Sequence, residues 1–222
     1  MKIFKPVTLL FAILLLTACN SDDDATLNYV LESDRDALIE IYNANTNNTL
    51  SWDITSTDVS TWDGVTVEDS RVAVLSIGSS NIDDLPTTAL QKLTALRSLV
   101  ANNNSFLTIN VSHNINLKNL QLFDNNLTAI DVSNNTLLEQ LLLEGNNLGN
   151  LDVSMLVNLT DLKGGSNSFS NSVNIANGNN ANMWRMELGS STLSCVQVDA
   201  GATDGFTGWS ISSNASYSTH CL

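Results

Sequence analysis

Leu96-Arg97-Ser98-Leu99-Val100-Ala101-Asn102-Asn103-Asn104-Ser105-Phe106 recurs in outline as Leu117-Lys118-Asn119-Leu120-Gln121-Leu122-Phe123-Asp124-Asn125-Asn126-Leu127. It recurs again as Leu138-Glu139-Gln140-Leu141-Leu142-Leu143-Glu144-Gly145-Asn146-Asn147-Leu148, so the period is 21 residues. Each copy closes on a further apolar slot, Ile109, Ile130 or Leu151, followed by the tags Asn110-Val111-Ser112, Asp131-Val132-Ser133 and Asp152-Val153-Ser154. A unit this short cannot bury its apolar face alone, so a fixed period of this length means a solenoid of stacked coils. Within each copy the x-Leu-x-Leu alternation is a short strand with leucines inward and the x positions outward. Asn104, Asn125, Asn146 and Asn167 keep phase with the apolar slots. An amide at the bend between buried leucines bonds backbone groups of its own turn and a neighbouring one, which makes these four a ladder.

The pattern L-x-x-L-x-L-x-x-N-x-L-x-x-I resembles the leucine-rich repeat family. The resemblance implies an α/β solenoid with short parallel strands lining a concave face. The frame extends both ways from the regular copies. Val72, Leu75, Ile77, Ser80, Ile82 and Leu85 form a first coil, whose longer return segment reads as a helical turn around Ala89, Leu90 and Leu93. Leu159, Leu162, Gly164, Asn167 and Phe169 form a degenerate fifth. Met183, Met186, Leu188, Ser191, Leu193 and Val196 form a sixth, with Ser in the ladder slot. The expected count is about six coils over residues 72–196.

Residues 28–71 read as an N-terminal helical cap. Ser33 or Asp34 is placed to cap a helix carrying Ala37, Leu38, Ile41 and Tyr42 at helical spacing. The order Asp34-Arg35-Asp36-Ala37-Leu38, then Ser51-Trp52, Trp62-Asp63-Gly64-Val65 and Arg71-Val72 resembles the cap of plant-type leucine-rich repeat proteins, without its cysteines. Such a cap must hold by packing, which Trp52 and Trp62 supply.

Before the cap, Lys2 and Lys5 precede an apolar run, Val7 to Leu16, too short for a membrane span. Residues 1–18 read as a signal peptide. Leu16-Thr17-Ala18-Cys19 resembles the lipobox of bacterial lipoproteins, which implies lipidation of Cys19. The acidic run Asp22-Asp23-Asp24 within the tether 19–27 resembles the surface-export tag of Bacteroidetes lipoproteins. Together these resemblances imply an outer membrane lipoprotein exposed at the cell surface. Of three cysteines, lipidation of Cys19 leaves one pair, Cys195 and Cys221, in a compartment where disulfides persist. The tail 197–222 is expected to be a C-terminal cap pinned by that bond, an arrangement that resembles the terminal segment of flavobacterial leucine-rich repeat proteins.

Loss of the leader leaves seven Lys and Arg against 23 Asp and Glu, about −16. That balance argues against nucleic acid, whose binders carry a basic patch. No nucleophile elbow, His-Glu-x-x-His helix or phosphate-cradling loop occurs, and His113 and His220 lack metal-ligand spacing with the cysteines. The expectation is therefore no enzyme, no cofactor and no metal, in a monomeric scaffold whose repeats form one domain.

Function then falls to the outward positions of the strands. Four of the seven mature basic residues, Arg97, Lys118, Lys163 and Arg185, lie there with Glu139, Gln121, Phe123, Leu142 and Trp184. Trp and Arg favour interface hot spots, so these nine residues are the expected contact surface for a protein partner. A glycan stacked on Trp184 and Phe123 is the alternative, and an inert envelope spacer a third.

Overall fold

A computed structural model describes residues 30–203 and 206–221. The signal peptide, the Cys19 lipobox and the acidic tether lie outside the described residues.

The chain begins with α1 (Glu32–Ala44), then a hairpin of β1 (Val65–Glu68) and β2 (Arg71–Ser76). A short α2 (Thr87–Lys92) returns it to the row of strands β3 (Ser98–Val100), β4 (Asn119–Gln121), β5 (Gln140–Leu142) and β6 (Asp161–Lys163). After β7 (Asn171–Asn174) come β8 (Arg185–Leu188), β9 (Leu193–Gln197), β10 (Trp209–Ile211) and β11 (Ser216–Ser218). One sheet has the order β1-β2-β3-β4-β5-β6-β8-β10, parallel throughout except for the β1–β2 hairpin. A second, parallel sheet of order β11-β9-β7 forms behind the last coils.

Parallel pairing in strict register follows from the repeat. Leu99, Leu120, Leu141 and Leu162 are consecutive partners across β3 to β6, and all are fully buried. The other apolar slots fill the same core, with Phe106 and Phe169 its largest wholly buried side chains. Each buried leucine contributes about 1.5–3 kcal/mol by leaving water, and only stacking a neighbour achieves that.

The bend after each strand has a conformational cause. Ser79, Asn103, Asp124, Gly145 and Ser166, the residues just before the ladder slots, all have positive φ, between 52° and 67°. This left-handed residue turns the chain, and small or polar side chains tolerate it best. The next residue locks the bend. Asn125 Nδ2 donates to Leu122 O of its own turn (3.0 Å) and Ala101 O of the preceding coil (3.1 Å), while its Oδ1 accepts from Phe106 N (3.2 Å). Asn104, Asn146 and Asn167 repeat the arrangement, always reaching backward along the solenoid. In the sixth coil Ser191 is exposed and does not take this part; the Thr192 hydroxyl makes the backward bond, to Phe169 O.

A second ladder runs up the opposite side. Asn114 Nδ2 donates to Leu90 O and Leu93 O, both at 2.9 Å, and Asn135 Nδ2 to Val111 O (3.0 Å) and Asn114 O (2.9 Å). Asn177 continues it to Leu156 O at 2.9 Å. The tag residues Asn110, Asp131 and Asp152 each accept from the backbone N–H two residues on, which closes the preceding turn.

At the N-terminal end, Asp34 does not cap α1. The N-cap is Leu31, and Asp34 is fully buried against β2, because its carboxylate serves Arg71 and the Val72 N–H instead of the helix terminus. Trp52 stacks between Tyr42 and Trp62, with centroids 6.4 and 5.2 Å away, and is 5% exposed. These rings pack the cap, as its lack of cysteines requires.

At the other end the tail does more than lie over the last coil. β10 adds a strand to the main sheet and β11 one to the rear sheet, so the six expected coils are followed by a part-coil. Cys195 of β9 is bonded to Cys221, just past β11, with Cα atoms 5.8 Å apart.

Candidate binding face

The outward positions of the main sheet form columns, one residue per coil, because consecutive strands share register. The first column is Arg97, Lys118, Glu139, Thr160 and Trp184, joined edge to edge by backbone bonds of 2.8–3.0 Å from each N–H to the carbonyl before it. Arg97 is paired with Glu68 of β1, and Lys118 Nζ lies 3.0 Å from Glu139 Oε1. Both pairs are about half exposed, where an ion pair is worth roughly 0–1 kcal/mol. They neutralise the column more than they stabilise it.

The second column is better ordered. Gln121, from the third column, donates to Gln140 Oε1 at 2.9 Å, and Gln140 donates to Asp161 Oδ2 at 2.7 Å. Arg185 closes the chain with Nε and Nη2 on the two oxygens of Asp161, at 2.7 and 2.6 Å. That fork raises the pKa of the guanidinium further, the hydrogen bond to Asp161 outweighing its desolvation. Asp161 is only 2% exposed although it stands on the strand face. Fixed by this fork, Arg185 lays its guanidinium 4.6 Å from the centroid of the Trp184 ring. Trp184 is 58% exposed, the most exposed aromatic side chain among the described residues.

The third column runs Val100, Gln121, Leu142, Lys163 and Glu187. Leu142 is not an exposed contact residue: only 9% of it meets solvent, because Gln121 and Lys163 flank it in register. Lys163 Nζ sits 3.2 Å from Glu187 Oε2 and 3.9 Å from Glu144 Oε1. The fourth column places Phe123, half-buried, next to Glu144, and then Gly165 and Gly189, which leave the face without side chains. Burial pushes the Glu144 carboxyl above the usual glutamate range, with Glu187 adding to the rise and Lys163 and Arg185 opposing it.

The structure thus gathers all nine expected contact residues on one sheet face, but the four cations there are not free. Each has a carboxylate partner: Glu139, Asp161 and the Glu144–Glu187 pair from the face itself, and Glu68 from the β1 edge. Asp161 and Arg185 are neighbours in the same column although an irregular return of 24 residues separates them, because the sixth coil restores the register. Among the described residues no group of three or more His, Cys, Asp or Glu could hold a metal ion, and no helix is long and apolar enough to cross a membrane.

No family model matches the chain, and no curated protein matches it either. Solved structures do. The BIR2 ectodomain from Arabidopsis thaliana superposes with a TM-score of 0.60 at 19% identity, over 82% of this chain and 96% of that one. The leucine-rich repeat ectodomain of the receptor kinase SOBIR1, also from Arabidopsis thaliana, gives 0.53 at 22% identity, over 64% and 84%. The functional domain of InlJ from Listeria monocytogenes shares 27% identity at a TM-score of 0.49, over 56% of this chain, which spans 29% of that domain's length. The fold is therefore that of a leucine-rich repeat solenoid, with ladder asparagines and parallel strands where the sequence pattern places them.

Proposed function

We propose that this chain is a non-catalytic binding module of the cell surface, lipid-anchored through Cys19, that holds a protein partner on its strand face. The observation that carries the reading is the exposed Trp184 indole, braced by Arg185, which is itself locked by Asp161. An aromatic and an arginine held rigid at low entropic cost are what an interface hot spot requires. The compensated charges around them suit a rim that selects partners without repelling them. The ectodomain character of BIR2 and SOBIR1 is in keeping with a location outside the cell.

A protein fits better than a glycan. One face of the Trp184 ring is taken by Arg185, and Phe123 is half-buried, which leaves one free stacking surface where the glycan reading calls for two.

The test is capture on beads by the mature chain, from surface proteins and from polysaccharides, beside Trp184→Ala. A protein kept by the wild type and lost by the variant supports the reading. A polysaccharide kept by the wild type and lost by the variant replaces the partner class. A ligand kept equally by both moves binding off the strand face.

A further inference from the structure

The two ends of the solenoid treat their sheet edges differently. At the N-terminal end the outermost strand is β1, which runs antiparallel, breaks register between Thr66 and Val67 and carries Glu68. An irregularity and a charge on the last strand are how proteins keep an edge from pairing with another chain. The C-terminal end has neither. β10 ends the main sheet and β11 ends the rear sheet, both in unbroken register with their inner neighbours. Residues 206–221, which build both strands, contain no Asp, Glu, Lys, Arg or Pro. Copies of a chain with net charge −14 repel one another, and a stretch without charge is where they do so least.

The outer edge of β10 has groups to offer. Met186 N donates to Gly208 O, and alternation along the ladder then gives Ser210 to β8 and turns the Trp209 and Ile211 backbone outward. Trp209 N is taken by Phe206 O, which leaves the Ile211 N–H with the Trp209 and Ile211 carbonyls. Apolar surface accompanies them. Phe206, 38% exposed, meets the Trp209 ring edge-on at 5.0 Å, and Trp209 lies 5.7 Å from Tyr217 of β11. Trp209, Ile211 and Tyr217 are only partly buried against the last coil. The Trp209 Nε1 bond to Met183 O (3.0 Å) and the Cys195–Cys221 bond hold this end in place.

An unblunted edge is complementary to itself, because a half-turn sets it antiparallel to its own copy. With Ser210 opposite Ser210 of the second copy, each Ile211 N–H reaches the other copy's Trp209 carbonyl. One axis drawn through β10 and β11 serves both edges at once.

We propose that the C-terminal end is a homodimer interface, in which β10 and β11 of two copies pair antiparallel about one two-fold axis, in place of the monomer expected from the sequence. Both strand faces then lie on the same side of the dimer, so a partner with two epitopes meets two sites at once. Two three-residue edges and the side chains of Phe206, Trp209, Ile211 and Tyr217 make a small interface, so the dissociation constant should be on the order of 10 μM.

Sedimentation velocity on residues 19–222 decides the matter, with Cys19→Ser to remove both the lipid and a free thiol. The expected result is a monomer–dimer equilibrium that stops at two, since the axis uses up the end. Ser210 is exposed, so Ser210→Lys and Ser210→Glu should fold, as unchanged melting temperatures would verify. Each alone sets like charges directly opposite, in the pair where side chains come closest, and should weaken dimerisation about fivefold. An equal mixture of the two should dimerise at least as well as the wild type. Four results would overturn the interface. These are monomer alone at about 1 mM, a hundred times the expected constant, assemblies that grow past two, single variants as competent as the wild type, and a mixture no better than either variant. The capture assay with Trp184→Ala reads the strand face separately, so either proposal can fail without the other.

Discussion

Asp34 on α1, wholly buried, takes Arg71 of β2 on both oxygens, Nε at 2.9 Å on Oδ2 and Nη2 at 3.0 Å on Oδ1. The same Oδ2 accepts from Val72 N at 2.9 Å, and Arg71 also donates to Lys92 O and Thr94 Oγ1 behind α2. One ion pair therefore ties the first helix, the first strand of the row and the first return segment. Removing one partner of a buried pair leaves the other charged and unpaired, at about 3–5 kcal/mol. Asp34→Ala should lower the denaturant-derived stability by that amount, and Arg71→Met in the same background should recover part of it. Additive losses from the two substitutions would show that the pair is not coupled.

The asparagine ladder makes a sharper prediction about position. Asn146 donates to Leu122 O and Leu143 O and accepts from Leu127 N, all within 2.9–3.0 Å and out of solvent. Asn146→Ala orphans these groups and should cost about 2–4 kcal/mol. Asn116, exposed, makes a single bond to Thr94 O, and Asn116→Ala should cost less than about 1 kcal/mol. Urea titrations of the two variants give the comparison directly.

Glu144 predicts a pH dependence with a definite sign. Burial raises its folded-state pKa above the ordinary value of 4.5. A raised pKa favours folding below the unfolded value, and that advantage is lost as pH rises through the folded one. Glu144→Gln has no such loss. The melting temperature of the variant should therefore exceed that of the wild type more at pH 7 than at pH 3.5. A gap that narrows toward pH 7 would contradict the assigned direction.

The Cys195–Cys221 bond closes 26 residues and fixes β11 against β9. Cys195→Ser with Cys221→Ser should cost about 2–4 kcal/mol. Because coils contact only their neighbours, the damage should stay local. Hydrogen exchange should quicken in β9 and β11, while amides of β3 to β5 keep their protection.

How far the sequence can be read is clearest residue by residue. The leucine slots, the four ladder asparagines and the strand phase follow from a 21-residue period, because each is a contact with the adjacent copy. The second ladder shares that period at Asn114, Asn135 and Asn177, but Leu156 interrupts it, and the break hides the column. Asp34 reads as a helix cap because helix starts and buried helix carboxylates look alike locally; its partner Arg71 is 37 residues away. On the strand face the residues are legible, and so are pairings within a column, Lys118 with Glu139 and Asp161 with Arg185. Glu68, which meets Arg97, is not legible because it lies on the antiparallel β1 outside the repeat columns, and the shielding of Leu142 depends on the reach of Gln121 and Lys163 beside it.

The matching register of β3, β4 and β5 bears on how such a chain can change length. Deleting residues 117–137 would bring the edge of β3 against β5 with Leu99 on Leu141 and the ladder residue Asn104 in register with Asn146, as β4 meets β5 now. Duplicating them would insert one more rung. The span of the face is thus a discrete variable, altered in steps of about 4.8 Å. The tryptophan-packed beginning and the disulfide-held end would be carried along intact, so heredity can resize the molecule without redesigning it.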